Sequence, residues 1–223
     1  KARLILLNKS DLSDERKNEA WASYFKAKGF YVVKLDARRR NSMKEIQNVI
    51  LEACKEKIER DRRRGIKNRP VRAMVVGIPN VGKACAKTGN KPGVTKGKQW
   101  IRLNKDVELL DTPGILWPKF DDQMVGLRLA LIGSIKDEIL NIDELSLELI
   151  SYLKENYAGT LTARYEVEEN VERPVEILEA IAQKRGCVQR GNEIDYSKAA
   201  ALVIDDFRSG RLGRITLELP EAN

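Results

Sequence analysis

A phosphate-binding loop is the feature of this sequence that most constrains its fold. The apolar run Val71 to Val76 has the length and composition of a buried strand and leads directly into Gly77-Ile78-Pro79-Asn80-Val81-Gly82-Lys83, which matches the GxxxxGK pattern. In that pattern, backbone N–H groups wrap a polyphosphate, because glycines allow close approach and the lysine brings a positive charge to the β- and γ-phosphates. We therefore predict a nucleotide site formed by Gly77, Pro79, Asn80, Val81, Gly82 and Lys83.

Two irregularities accompany this loop. A Ser or Thr that holds Mg²⁺ should follow the lysine, but Ala84 stands there, and Thr95 follows Lys83 after only twelve positions, too few for the helix that such a loop requires. The chain also opens on Lys1, two residues before an apolar run of strand type. From these features we expect that a helix after the phosphate loop and a strand before Lys1 are absent from the chain as given.

A second phosphate motif lies farther along the chain. Asp111-Thr112-Pro113-Gly114 ends an apolar strand and fits DxxG, in which the carboxylate organises Mg²⁺ through water and the glycine N–H meets the γ-phosphate. Thr95 is placed to offer oxygen ligands to the metal, although an ordinary turn threonine remains the alternative. Ile115 occupies the position at which Ras-like enzymes carry a water-orienting glutamine, so hydrolysis here cannot use that residue. The predicted catalytic residues are Lys83, Thr95 and Gly114, and the predicted metal residues include Thr95 and Asp111.

A base-recognition motif precedes both phosphate motifs. Asn8-Lys9-Ser10-Asp11 follows the first apolar run and matches NKxD, in which the aspartate accepts hydrogen bonds from guanine groups that adenine lacks. The asparagine and the lysine stem are predicted to pack on the base and to brace the phosphate loop. Asp36-Ala37 follows the second apolar run and resembles a second guanine-contact loop. The predicted base-binding residues are Asn8, Lys9, Asp11, Asp36 and Ala37.

The order of motifs and elements predicts the fold class. Conventional GTPases begin with the phosphate loop, whereas here it comes after the base motif, a circular permutation that a closed set of strand–loop units permits. Apolar runs predict strands at 3–7, 31–35, 71–76, 99–103 and 107–110, the last two as a hairpin, with helices at 15–28 and 42–64 and a basic linker from 57 to 72. We predict an α/β P-loop GTPase domain with circularly permuted motif order over residues 1–120. Helical patterns at about 122–131, 142–155, 174–184 and 196–208 predict a small all-helical domain over residues 121–223.

Composition restricts the partners and the chemistry. The 41 Lys and Arg against 33 Asp and Glu give a net charge of +8, which suits a polyanionic partner. The sequence contains no histidine, which excludes His-dependent triads and zinc sites within this chain, and its three scattered cysteines form no disulfide framework. No apolar run approaches the ~18 residues that span a bilayer. Basic residues of the second half could contact RNA phosphates or merely form a solvated face: Arg128, Lys136, Lys184, Arg185, Arg190, Arg208, Arg211 and Arg214.

Together these motifs resemble the bacterial circularly permuted GTPases of ribosome assembly, most closely the ribosome biogenesis GTPase A (YlqF-type) group. The resemblance spans essentially the whole chain, and it is most specific in the block from Leu110 to Phe120, with further matches at 8–11, 77–83, 88–95, 133–137 and 184–187. It implies GTP hydrolysis coupled to late maturation of the large ribosomal subunit, with GTP or GDP and Mg²⁺ as cofactors and Asn80 as a candidate ligand of K⁺. The family's N-terminal segment, with a histidine proposed to aid hydrolysis, is missing here, as is the Ser or Thr after Lys83.

The resemblance also implies that the helical domain over residues 121–223 binds RNA, and it implies partners and a place in the cell. We expect a cytoplasmic protein that binds the large ribosomal subunit and its rRNA, is slow alone and is stimulated by the ribosome, with neither a membrane nor DNA as partner. In the leading hypothesis GTP favours binding to the immature subunit and hydrolysis releases the protein. One alternative is a nucleotide-gated RNA-binding adaptor with incidental hydrolysis. An ATPase is a third, disfavoured by Asp11.

Overall fold

The computed structural model describes residues 2–36, 42–66, 69–81, 99–116, 122–135 and 141–220. The chain divides into two compact units, one formed by Lys1–Pro118 with Glu218–Asn223 and the other by Lys119–Leu217. In the first unit, the indole N–H of Trp21 donates to the Glu218 carbonyl at 3.1 Å, which ties the end of the chain to this unit. The functional division at residues 120 and 121 stays a prediction.

The first unit contains strands and helices in alternation, followed by a hairpin. Its elements are β1 Leu4–Asn8, α1 Glu15–Ala27, β2 Tyr31–Leu35, α2 Ser42–Ala53, α3 Lys55–Arg63, β3 Val71–Val75, β4 Gln99–Arg102 and β5 Val107–Asp111. Strands β1 and β2 pair in parallel, and a second sheet has the order β3-β5-β4. In this second sheet β3 is parallel to β5 and β4 is antiparallel to it. Each predicted strand is therefore found within about one residue of its predicted bounds.

The predicted hairpin is confirmed, and its turn has a local cause. The side-chain oxygen of Asn104 accepts the backbone N–H groups of Asp106 at 2.8 Å and Val107 at 2.9 Å. Asparagine favours such turns because its short side chain imitates the backbone hydrogen bond of a turn. The turn fixes the register in which Trp100 lies opposite Leu110.

The long helix predicted at 42–64 is interrupted. Helix α2 ends at Ala53 and α3 begins at Lys55, with Cys54 between them at φ −107° and ψ 9°. The basic segment predicted as a linker from residue 57 is helical as far as Arg63. Helix α3 ends at Arg63, and after the cap residue Arg64 the chain turns at Gly65, where φ is +80° and the Ile66 N–H donates to the Asp61 carbonyl at 3.0 Å. Glycine at this position permits the left-handed turn that satisfies the last carbonyls of a helix.

The core of the first unit lies between strands and α2. Its buried side chains are Val33, Leu35, Ile46, Ile50, Val71, Val107 and Leu109. Alternate residues of β3 and β5 point into this cluster, as the two-residue period of a strand requires. The core thus fixes the sheet whose carboxyl ends bear the phosphate motifs.

The second unit is a helical bundle. Its helices are α4 Gln123–Leu131, α5 Ile142–Asn156, α6 Thr160–Tyr165, α7 Pro174–Arg185 and α8 Tyr196–Ser209. The core is a continuous apolar cluster in which Leu149, Ile150, Ile177 and Ile181 have no exposed surface. The four predicted helices are confirmed, and α6 was not predicted. Among the described residues, no helix is long and apolar enough to cross a membrane.

Candidate nucleotide-binding site

Strand register brings the two phosphate motifs together. Val75 of β3 lies directly opposite Asp111 of β5, so Gly77 and the DxxG segment leave the same edge of a parallel pair. The Thr112 hydroxyl donates to the Val75 carbonyl at 2.7 Å, and the Ile115 N–H donates to the Gly77 carbonyl at 3.1 Å. In α/β sheets, ligands bind outside the carboxyl ends of the strands, which is where these segments meet.

Gly114 lies against the backbone of the phosphate loop. A Cβ added at Gly114 would stand 2.8 Å from both the Cα and the N of Pro79 and 3.1 Å from the Ile78 carbonyl carbon. Real Cβ atoms essentially never come that close to backbone, so only glycine fits here without moving the loop. The DxxG pattern assigns Gly114 a γ-phosphate contact, and the structure adds a packing requirement that the sequence did not reveal.

The first glycine of the phosphate loop is less crowded. Among the described residues, a Cβ at Gly77 would meet Val81 Cγ2 at 3.8 Å, an ordinary van der Waals distance. The described atoms therefore leave room for a side chain here, and the GxxxxGK pattern gives the reason for glycine, which is the close approach of a phosphate to the backbone. Asn80 adopts φ +60°, a left-handed conformation that asparagine tolerates better than most residues.

The base motif is bonded to the phosphate loop. The Asn8 side-chain amide donates to the Val81 carbonyl at 2.6 Å, across 73 positions of sequence. This is a contact through which Asn8 can brace the phosphate loop, and its role in base binding stays a prediction. Lys9, next to it, has φ +55°, an uncommon value for a residue with a long side chain. Such strain persists only where surrounding contacts hold it, and it clusters at ligand sites.

The remainder of the base motif is held by neighbouring elements. The Ser10 N–H donates to the Leu35 carbonyl at 3.3 Å, which places the motif beside Asp36 at the end of β2. From α1, the buried Asn18 donates to the Ser10 carbonyl at 3.3 Å and accepts from the Ser13 hydroxyl at 2.8 Å. Sequence reasoning missed Asn18. The only available signal was a polar residue one turn into a helix that Asp14 caps.

Asp111 is a buried carboxylate at the edge where the motifs meet. Only 5% of its surface is exposed. Burial raises the pKa of Asp111, while a hydrogen bond from the Thr112 backbone acts in the opposite direction. A desolvated carboxylate is stabilised by a nearby cation, so this side chain fits the role predicted for it towards Mg²⁺. Among the described residues, no group of three or more His, Cys, Asp or Glu side chains could hold a metal ion. Thr95, the other residue predicted to bind Mg²⁺, lies outside them.

The described residues include ten of the predicted site residues. The structure brings Asn8 to Val81, Gly114 to Pro79, and Asp111 beside Val75. Ile115 is 72% exposed, next to this junction. Four predicted residues lie outside the described part of the chain: Ala37, Gly82, Lys83 and Thr95. Their roles stay predictions.

Several basic residues that were predicted to contact RNA make internal contacts within the second unit. Arg208 donates to the carbonyls of Ala130 and Leu131 at 2.9 and 3.0 Å, at the end of α4. Arg211 bonds to the buried Asp206, and Arg185 donates to the Arg164 carbonyl at 2.6 Å. Lys136 lies outside the described residues. These contacts give Arg208 and Arg211 a structural role that the sequence pattern did not predict.

Known proteins resemble this chain over nearly its whole length. A family model described as "50S ribosome-binding GTPase" matches residues 72–178. A ribosome biogenesis GTPase A from Bacillus cereus is 45% identical over 231 residues, covering 99% of this chain and 78% of that protein. The protein of the same name from Thermotoga maritima is 30% identical, with the same coverage of 99% and 78%.

Solved structures resemble it as well. A structure described as GDP-bound TM YlqF has a TM-score of 0.66 at 27% identity, covering 98% of this chain and 84% of that one. A structure of GNP-bound YlqF from T. maritima has a TM-score of 0.63 at 27% identity, covering 99% and 82%.

Proposed function

The chain belongs to the ribosome biogenesis GTPase A family, and from that premise we propose that it is a cytoplasmic assembly factor for the large ribosomal subunit. Its fold is that of a P-loop GTPase with circularly permuted motif order, and it is a GTP-hydrolysing enzyme. In the proposed cycle, the GTP form binds rRNA of the immature subunit, and hydrolysis releases the protein. The intrinsic rate is slow, and the subunit raises it.

The joining of three motif loops is the observation that carries this proposal. Asn8 binds the phosphate loop at Val81, Gly114 packs on the same loop, and Ile115 donates to Gly77. Base recognition, phosphate binding and the DxxG segment thus form one connected set. A change at the γ-phosphate position would act on Gly114, which packs on the phosphate loop at Pro79.

Individual residues have distinct parts in this proposal. Asp11 would accept hydrogen bonds from guanine, and the buried Asp111 would hold Mg²⁺ through water. Bound Mg²⁺ would neutralise charge on the phosphate oxygens. Asn80 is proposed as a ligand of K⁺. Lys83 and Thr95 keep their proposed roles at the phosphates and the metal.

Co-sedimentation with purified large ribosomal subunits tests the proposal. Binding should require a non-hydrolysable GTP analogue and be weak with GDP. The Asp11→Asn variant should instead require the corresponding xanthine nucleotide, with a change in nucleotide preference of about 10–100-fold. The reason is that the Asn side-chain amide donates an N–H to the oxygen that xanthine carries in place of the guanine amine. Asp106→Asn, in the exposed hairpin turn, is the matched control and should behave as wild type. Equal binding to the subunit with the GTP analogue and with GDP would refute the proposed cycle.

A further inference from the structure

The net positive charge of this protein is concentrated in the first of its two units. Residues 1–118 and 218–223 contain 28 Lys and Arg against 15 Asp and Glu, a net charge of +13. Residues 119–217 contain 13 Lys and Arg against 18 Asp and Glu, a net charge of −5. The helical unit is therefore acidic, although the net charge of the whole chain is +8. A polyanion would be attracted to the GTPase unit and, on average, repelled by the other.

Nearly half of the first unit's net positive charge lies in one short segment. Residues 55–72 contain nine Lys and Arg against three Asp and Glu. Four arginines at its centre, Arg60, Arg62, Arg63 and Arg64, are all exposed. Within the described residues, the only ion pair on α3 joins Lys57 to Asp61 at 3.5 Å. The guanidinium groups are thus available to a partner from outside.

Helix α3 presents this charge and meets the rest of the first unit through few residues. Asp61 is buried and Ile58 packs against the core of the first unit. The left-handed Gly65 and the bond from Ile66 to the Asp61 carbonyl close its C-terminal end. Lys57, Arg60 and Arg64 are spaced by three and four residues and so line one side of the helix over about 10 Å.

We infer that this arginine surface, Arg60 to Arg64 at the end of α3, docks the phosphate backbone of folded RNA. The inference rests on the proposed function in taking RNA as the partner, and it names the surface that binds it. Arginine suits phosphate because its planar guanidinium donates two parallel hydrogen bonds. The C-terminal end of a helix carries only about half a negative charge, which four guanidinium groups outweigh. RNA fits better than a membrane, because no large apolar side chain on α3 is exposed.

Salt-dependent RNA binding by the full chain tests this inference. The variant Arg60→Gln/Arg63→Gln/Arg64→Gln would be compared with Lys26→Gln/Lys44→Gln/Lys105→Gln, which removes the same charge from other exposed positions of the first unit. The probes are purified large ribosomal subunits and a short RNA duplex, each titrated over a range of KCl concentrations. GDP affinity and Tm, measured for every variant, confirm that the fold and the nucleotide site are intact.

The α3 variant should bind RNA about tenfold or more weakly at moderate salt, and the slope of log affinity against log salt should fall by about 2–3, one unit per lost phosphate contact. The control should keep the wild-type slope. Substitution of the same three arginines by lysine should preserve the slope, because the charge remains.

Other results would overturn the inference in distinguishable ways. A wild-type slope in the α3 variant, or an equal loss in both variants, would refute this surface and leave the proposed function standing. If the wild-type chain bound neither the large ribosomal subunit nor the RNA duplex, both this inference and the proposed function would be refuted. Competition by polyglutamate as strong as that by RNA of equal charge would indicate an acidic protein partner instead.

Discussion

At the residue scale, the site depends on two glycines for different reasons. Gly114 touches the backbone of the phosphate loop, whereas among the described residues Gly77 has room for a Cβ at an ordinary distance from Val81. The same substitution should therefore separate packing from ligand binding. The GxxxxGK and DxxG patterns predicted both glycines, but they could not show that one supports the protein itself, because that contact joins residues far apart in sequence.

Gly114→Ala should destabilise the nucleotide-free protein by about 1–3 kcal/mol, because the new methyl group must displace Pro79. Gly77→Ala should leave the Tm of the nucleotide-free protein close to wild type and still lose most of its GDP affinity. Thermal unfolding without nucleotide and titration with GDP measure the two effects. Equal Tm losses in both variants would contradict the assignment of different roles.

Asp111→Asn should uncouple stability from activity. Because burial raises the folded-state pKa of Asp111, the ionised carboxylate costs stability. That cost is absent below the unfolded pKa of about 3.9 and develops as pH rises through the folded pKa. The variant should therefore match or exceed the wild-type Tm at pH 7, with the difference vanishing at low pH. Its Mg²⁺-dependent GTP hydrolysis should fall at least about tenfold. A lower Tm at pH 7 would contradict this account.

At the scale of elements, sequence patterns predicted the strands and helices that are determined by residues within or next to them. Strands β1 to β5 follow from apolar runs, and α5 and α8 begin at the side-chain caps Asn141 and Asp195. The short helix α6 was missed because its cap is remote: the Glu169 carboxylate accepts the N–H groups of Gly159, Leu161 and Thr162. No pattern within the helix itself encodes that contact. The break at Cys54 likewise interrupts a continuous helical pattern.

A buried carboxylate joins the elements of the second unit. Asp206 of α8 accepts from Arg164 Nε at 2.8 Å and the Tyr165 hydroxyl at 3.0 Å, both from α6, and from Arg211. Burial alone would raise the pKa of Asp206, but these donors together outweigh burial and lower it. Its contribution to stability is therefore present above the unfolded pKa of about 3.9 and is lost as pH falls through the folded pKa.

Asp206→Ala should destabilise the second unit by about 2–3 kcal/mol, below the ~3–5 kcal/mol of a fully buried pair, because Arg164 and Arg211 remain partly in water. Asp205→Ala, at the exposed neighbouring position, should change stability by less than ~0.5 kcal/mol. Urea unfolding at pH 7 measures both. Losses of similar size in the two variants would mean that the network contributes little.

At the scale of the whole molecule, the nucleotide motifs and the net positive charge belong to the same unit. The permuted order places the DxxG segment at the end of the GTPase unit, directly before the helical unit in the chain. The sequence predicted the basic partner surface in the helical half, since several arginines lie there. Arg185, Arg208 and Arg211 make internal contacts, and the net positive charge belongs to the GTPase unit. Composition could not reveal this, because a count does not show which side chains are already engaged. RNA binding by the helical unit stays a prediction.

The rate of GTP hydrolysis with and without purified large ribosomal subunits tests the central claim most directly, at fixed Mg²⁺ and K⁺. The account predicts stimulation of at least about tenfold, since groups supplied by a partner accelerate GTPases by ~10³–10⁵ when they complete the site. An unchanged rate, despite nucleotide-dependent binding to the subunit, would contradict hydrolysis-driven release and favour the nucleotide-gated adaptor.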